Sequence, residues 1–174
     1  MDYLFINARV LTPFTIRDAA VLVRGGRIED IAEHIEPGEN TRVIDAGGRL
    51  LAPGYIDLHI HGGGGRSVME GTGEAICAMA RAHALRGTTS ILPTTLSMPL
   101  PAMVRAAQAV SEAMAEKHPY TILGVHQEGP CLSPAQGGAQ STDALLVPAR
   151  ADLTALIEDC PALRMMGVAP ELDG

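Results

Sequence analysis

The sequence predicts an α/β protein in two parts, and three observations carry that reading. Residues 1–53 hold short apolar or β-branched runs separated by glycine and proline turns. From residue 54 onward, strand-like runs alternate with helix-like stripes, at a spacing that fits βαβ units and a parallel sheet. The residues able to bind ligands collect at the C-terminal ends of those strands, the end at which parallel α/β proteins build sites.

The first part reads as one sheet of a small β-sandwich. Tyr3–Val10 is apolar and β-branched. Ala19–Arg24 and Arg27–Ile31 flank Gly25-Gly26, a strong hairpin signal. Glu36-Pro37-Gly38-Glu39-Asn40 is a turn cluster, Val43–Asp45 a further strand, and Leu50-Leu51 a last short one. His34 falls in the turn region as a solvated histidine. Pro53-Gly54 marks the boundary, giving segments 1–53 and 54–174.

The second part opens with Gly54–His61, where apolar and polar residues alternate with period two. Asp57, His59 and His61 share one face, and Ile56, Leu58 and Ile60 the other. Neighbours on a face stand about 6.6 Å apart at roughly 3.3 Å per residue, so two imidazoles can close on one ion. Gly62–Gly65 allow a sharp turn. Thr72 is placed to cap a helix carrying Ile76, Met79, Ala80 and His83 on one stripe, with Gly87 ending it. Ser90–Thr94 is the next strand. Ser97 opens a second helix whose buried stripe is Met103, Ala106, Ala107, Val110 and Met114. Thr121–Glu128 is a third strand, with Ile122, Gly124, His126 and Glu128 on one face. A long Gly-, Ser- and Pro-rich loop follows to about Ala149. Asp152 caps a third helix with the stripe Leu153, Leu156, Ile157 and Cys160, and Arg164–Ala169 is a fourth strand.

Composition narrows the function classes. The 174 residues are 47% hydrophobic, enough to fill a core. A net charge of -7 gives no general electrostatic reason to bind nucleic acid or an anionic membrane. Cys77, Cys131 and Cys160 are odd in number, far apart and without a C-x-x-C spacing, as in reduced cytosolic thiols. The N-terminus lacks the pattern of a secretory signal, and no run approaches the ~20 apolar residues of a membrane span. The expectation is a cytoplasmic protein with neither nucleic-acid nor membrane partners.

Two histidines and a carboxylate at the same end of neighbouring strands, His59, His61 and Glu128, suit a divalent metal such as zinc. Asp57 and His126 lie on the same faces as these residues, and Asp57 could orient a ligand from behind. The same residues also suit a structural hydrogen-bond cluster, with Glu128 capping a turn.

Pro53-Gly54-Tyr55-Ile56-Asp57-Leu58-His59-Ile60-His61-Gly62 resembles the first-strand signature of the amidohydrolase superfamily. Gly87–Thr94, Leu123–Pro130 with Leu132-Ser133-Pro134, and Ala169-Pro170-Glu171 resemble the N-acetylglucosamine-6-phosphate deacetylases within it. The Glu128-Gly129-Pro130 stretch separates the chain from dihydroorotase-like and adenine-deaminase-like relatives. The resemblance covers essentially the whole chain but only the N-terminal half of such an enzyme.

It implies a (β/α)8 TIM-type barrel, here about four βα units, preceded by a small β-sandwich segment. It implies hydrolysis of the N-acetyl group of N-acetylglucosamine 6-phosphate to acetate and glucosamine 6-phosphate. Glu128 would bind the catalytic metal, and His59 and His61 a further metal that some members use. The cofactor would be one or two divalent ions, zinc first, with iron, manganese or cobalt as alternatives. His126 would support the ligands, and the loop at Ala139-Gln140 would contact the sugar.

Gln140 stands where many members have histidine, and the preceding Gln136-Gly137-Gly138 lacks their lysine. N-acetylgalactosamine 6-phosphate is therefore an alternative substrate. No catalytic base is expected within this chain; the resemblance places it, with two more histidine ligands, beyond Gly174. A full-length homo-oligomer such as a dimer is implied. A non-catalytic fragment, or half of a split enzyme with a C-terminal-half partner, is the alternative for the chain by itself.

Overall fold

The computed structural model describes residues 1–174, which divide into two compact units, Met1–Pro53 and Gly54–Gly174. The first unit is a single five-stranded mixed sheet. Its strands are β1 (Asp2–Leu11), β2 (Ile16–Arg24), β3 (Arg27–Ala32), β4 (Thr41–Asp45) and β5 (Leu50–Leu51). They run in the order β3-β2-β1-β4, with β5 pairing the far end of β1. β1–β2 and β2–β3 are antiparallel, whereas β4 and β5 lie parallel to β1. Gly25-Gly26 form the β2–β3 turn, as the hairpin signal predicts. Alternation along β2 sends Ala19 and Val21 to one apolar cluster and Ala20 and Leu22 to another, so the sheet buries side chains on both faces. His34 is exposed and pairs with Glu36 at 2.8 Å, consistent with a solvated surface residue.

The second unit is α/β. Strand β6 (Tyr55–Ile60) leads into a small antiparallel hairpin, β7 (Gly62–Gly63) with β8 (Arg66–Ser67), built on the glycine run. Helix α1 (Gly73–Ala84) follows, its first turn capped by Thr72, whose Oγ1 accepts the Ala75 N–H at 3.2 Å. Then come β9 (Thr88–Pro93), α2 (Leu100–Met114), β10 (Thr121–Ile122), β11 (Val125–Glu128), α3 (Thr154–Ile157) and β12 (Leu163–Gly167). β6 and β10 flank β9 in parallel, β11 pairs β12 in parallel, and a parallel bridge from Thr94 to His126 ties the two groups together. The α1 and α2 stripes, with Ile76, Met79, Ala106, Ala107 and Val110, pack against Ile60, Ile91, Ile122 and Val125. No helix is long and apolar enough to cross a membrane.

Several sequence expectations are corrected here. Thr121–Glu128 is two strands rather than one. The chain breaks at Leu123-Gly124, where Gly124 passes so close to the Ala162 carbonyl that a Cβ would sit 2.4 Å from its oxygen. The break shifts the alternation, so Ile122 joins Val125 in the helix-facing core instead of sharing a face with His126 and Glu128. Ile56 and Leu58 are 64% and 49% exposed, because the helix layer reaches Ile60 and stops. The third helix is four residues long, and Ile157 leaves the buried stripe. Asp152 is not its N-cap, a position held by Leu153; it stands one residue earlier, where its Oδ1 accepts the Thr154 N–H at 3.0 Å. The long loop contains two short 3-10 turns, at Thr142–Ala144 and Pro148–Arg150. Ser97 does not open α2, which starts after Pro99. A helix starting at Ser97 would put Met98 in its first turn, directly before a proline, where helical backbone is disfavoured.

Candidate metal centre

The C-terminal ends of β6, β9 and β11 meet at Thr94. Its N–H donates to the Ile60 carbonyl at 2.8 Å, and its Oγ1 accepts the Ile60 N–H at 3.0 Å. Its carbonyl lies 3.0 Å from His61 Nδ1, and its hydroxyl 3.4 Å from His126 Nδ1. A carbonyl can only accept, so His61 carries its proton on Nδ1 and presents a lone pair on Nε2.

That Nε2 points into a cluster. It stands 3.1 Å from His59 Nε2 and 3.2 Å from Glu128 Oε2, and His59 Nε2 is 3.7 Å from the same oxygen. Tetrahedral zinc with bonds of about 2.0 Å would hold neighbouring donors about 3.3 Å apart. The three edges of this triangle bracket that value, and the donor set of two imidazoles and a carboxylate is one that zinc accepts. The residues fit a divalent ion. The structure brings His59, His61 and Glu128 within reach of a single ion, whereas the resemblance assigns the histidines and the glutamate to separate ions.

The neighbours lock this geometry. Asp57 Oδ1 accepts the backbone N–H of His59 at 3.1 Å, so it fixes the strand end rather than the imidazole. The His126 ring lies edge-on to His59, with centroids 5.1 Å apart. Burial, and then the adjacent His59, holds the His126 imidazole below its usual pKa. Gln140 reaches in from the long loop, its Nε2 donating to Glu128 Oε2 at 2.7 Å. Its Oε1 accepts the Ser97 N–H, also at 2.7 Å. Ser97 Oγ in turn donates to the Glu128 carbonyl at 3.3 Å. Ala139, the other residue expected at the sugar, is exposed beside Gln140.

Sequence reasoning placed Ser97 at the start of a helix and missed its part in this site, because its partners Gln140 and Glu128 lie far along the chain. The nearness of Ser97 also explains Gly129. At φ +86° that residue sits in the left-handed region, and a Cβ there would lie 2.1 Å from Ser97 Oγ, so only glycine fits between Glu128 and Pro130. His83, on the α1 stripe, is not drawn in; its Nε2 lies 3.2 Å from the Gly62 carbonyl.

The computed structure superposes on the crystal structure of N-acetylglucosamine-6-phosphate deacetylase from Pasteurella multocida with a TM-score of 0.88 and 28% identity, over 99% of this chain and 46% of that one. The human N-acetylglucosamine-6-phosphate deacetylase is 33% identical over 178 residues, covering 97% of this chain and 43% of its own length. This is the likeness that the strand-end motifs imply. The chain resembles the N-acetylglucosamine-6-phosphate deacetylases. An N-acetylgalactosamine-6-phosphate deacetylase from Escherichia coli O157:H7 is 33% identical over 134 residues, covering 76% of this chain and 36% of its own. The chain spans less than half the length of these curated deacetylases. No family model matches it.

Proposed function

We propose that this chain forms the first part of a metal-dependent deacetylase that hydrolyses N-acetylglucosamine 6-phosphate to glucosamine 6-phosphate and acetate. Its parallel strands are read as the first four of a (β/α)8 barrel, and the five-stranded sheet as part of an accompanying β-sandwich. The observation that carries the reading is the convergence of His59, His61 and Glu128 at the β6 and β11 strand ends, within a chain similar throughout to such deacetylases.

In this reading His59 Nε2, His61 Nε2 and Glu128 Oε2 hold a divalent ion, zinc first, with iron, manganese or cobalt as alternatives. When bound, such an ion supplies Lewis acidity, which acidifies water toward pKa ~7 and polarises an amide carbonyl. The chain's own residues supply the fixed frame. Thr94 sets the His61 tautomer, Asp57 pins the β6 end, and His126 closes the side behind His59. Water adds across the amide, giving acetate and a free amine. That requires a base to take the water's proton and return it to the nitrogen. The resemblance to such deacetylases assigns that base to a part of the enzyme outside these residues, and Asp57 Oδ1 accepts the His59 N–H at the strand end. We place the enzyme in the cytoplasm, in amino-sugar catabolism, as a homo-oligomer completed by a C-terminal half on the same or a partner chain.

The second reading is deacetylation of N-acetylgalactosamine 6-phosphate. It is favoured by the similarity to a deacetylase of that name and by Gln140 where the resemblance leads one to expect histidine. The test is metal analysis and acetate release on the complete gene product with both sugar phosphates. Stoichiometric divalent metal and acetate from one of them are expected, with Glu128→Gln abolishing turnover. A Glu128→Gln enzyme with undiminished turnover would sink the assignment.

A further inference from the structure

Gln140 was expected to meet the sugar, yet both ends of its amide are engaged within the chain. The backbone N–H of Ser97 can only donate, so the oxygen of the Gln140 amide must face it. This fixes the amide's orientation without ambiguity and turns Nε2 toward Glu128. Nε2 donates at 2.7 Å to Oε2, the same oxygen that faces both histidines. A hydrogen bond to a carboxylate is about twice as strong as a neutral one. The Gln140 N–H also closes a turn onto the Gly137 carbonyl at 3.1 Å, which holds the residue's own backbone. A tight strand-end turn at Gly129, which the Ser97 side chain packs against, keeps the clamp and the carboxylate in register.

We propose that Gln140 is a positioning residue for Glu128, an amide clamp anchored on the Ser97 N–H that aims Oε2 at the His59–His61 pair. The inference rests on the metal-centre reading above. The clamp explains why glutamine serves here. One side chain must accept from a backbone donor at one end and donate to a carboxylate at the other, which a planar amide does without changing charge. It also ties the loop around residues 130–148 to the site, so the loop's conformation and the carboxylate's aim are linked.

The test is zinc binding by the complete gene product and its Gln140→Leu variant, measured by calorimetry, together with amide hydrogen exchange at Ser97 in the metal-free protein. Leucine is close in size and makes neither bond. Removing an outer partner of a metal ligand weakens affinity by about 10- to 100-fold, and that loss is expected. Ser97 N–H exchange is expected to accelerate, while far-UV circular dichroism stays unchanged. Equal zinc affinity in the two chains would overturn the clamp, whatever the exchange result. If neither chain binds zinc although Gln140→Leu releases the Ser97 amide, the metal-centre reading has failed and the inference falls with it.

Discussion

Two clusters in the second unit look alike on paper. His59, His61 and Glu128 place ligand-type atoms within 4.8 Å of one another, and so do Cys77, Glu116 and His118. They differ in what each atom is already doing. In the first, His61 uses Nδ1 on the Thr94 carbonyl, which frees Nε2 to face its partners, and Glu128 Oε2, although it accepts from Gln140, is a carboxylate oxygen with a second lone pair to offer. In the second, the inward atoms are spent. His118 Nε2 lies 3.0 Å from the Ala113 carbonyl, so that nitrogen carries the proton. The Cys77 thiol points at Glu116 from 3.9 Å, and burial, followed by the Glu116 charge, raises its pKa and keeps it protonated. His118 also stacks on Tyr120, whose hydroxyl donates to the Cys77 carbonyl at 3.0 Å. One cluster presents lone pairs to a common point, and the other is a closed hydrogen-bond network. Proximity of ligating residue types is thus a weak criterion, and the direction of their free lone pairs a strong one.

The largest effect should separate the two clusters at once. His61→Ala removes one of three donors, and zinc affinity should fall by more than the roughly 100-fold that loss of an outer partner reaches. Cys77→Ser should leave both affinity and stoichiometry unchanged by calorimetry. A second zinc equivalent that disappears in Cys77→Ser would break the comparison and make the Cys77 cluster a site in its own right.

The same contrast marks how far the sequence could be read. His59, His61 and Glu128 were legible because period-two alternation and strand ends place them by local geometry alone. Thr72 and the Gly25-Gly26 turn were legible for the same reason: each acts within a few residues of itself. What stayed hidden depends on distant partners. The break at Gly124 comes from the approach of the Ala162 carbonyl, across the β11–β12 pairing. Ser97 looked like a helix cap because its real partner, Gln140, lies 43 residues on in a loop with no periodicity. The exposure of Ile56 and Leu58 follows from where the α1–α2 layer stops, which alternation within β6 does not encode.

A smaller effect sharpens the description of the second cluster as structural. Tyr120→Phe deletes the hydroxyl that donates to the Cys77 carbonyl and leaves the ring stacked on His118. A typical intramolecular hydrogen bond contributes about 1 kcal/mol net, and denaturant unfolding should register a loss of that order. Zinc affinity at His59, His61 and Glu128 should not change. A parallel loss of affinity would mean that the two clusters communicate, contrary to their separate hydrogen-bond networks.

The smallest effect concerns reactivity. Burial is the main reason the Cys77 thiol titrates high, and the Glu116 carboxylate adds to it. Glu116→Gln removes the negative charge and leaves the burial, so the thiol pKa should fall toward its usual value without reaching it. At any fixed pH below that value more thiolate is present, and thiolate is the species that alkylates. Iodoacetamide should therefore modify Cys77 faster in Glu116→Gln than in the unchanged chain, with the difference shrinking as pH rises past both pKa values. Cys131, buried and raised by burial alone, has no carboxylate to lose and should keep its rate. If Glu116→Gln slowed Cys77 instead, the carboxylate would be acting as a base that draws the proton from the thiol. The cluster would then be a reactive site rather than a closed network.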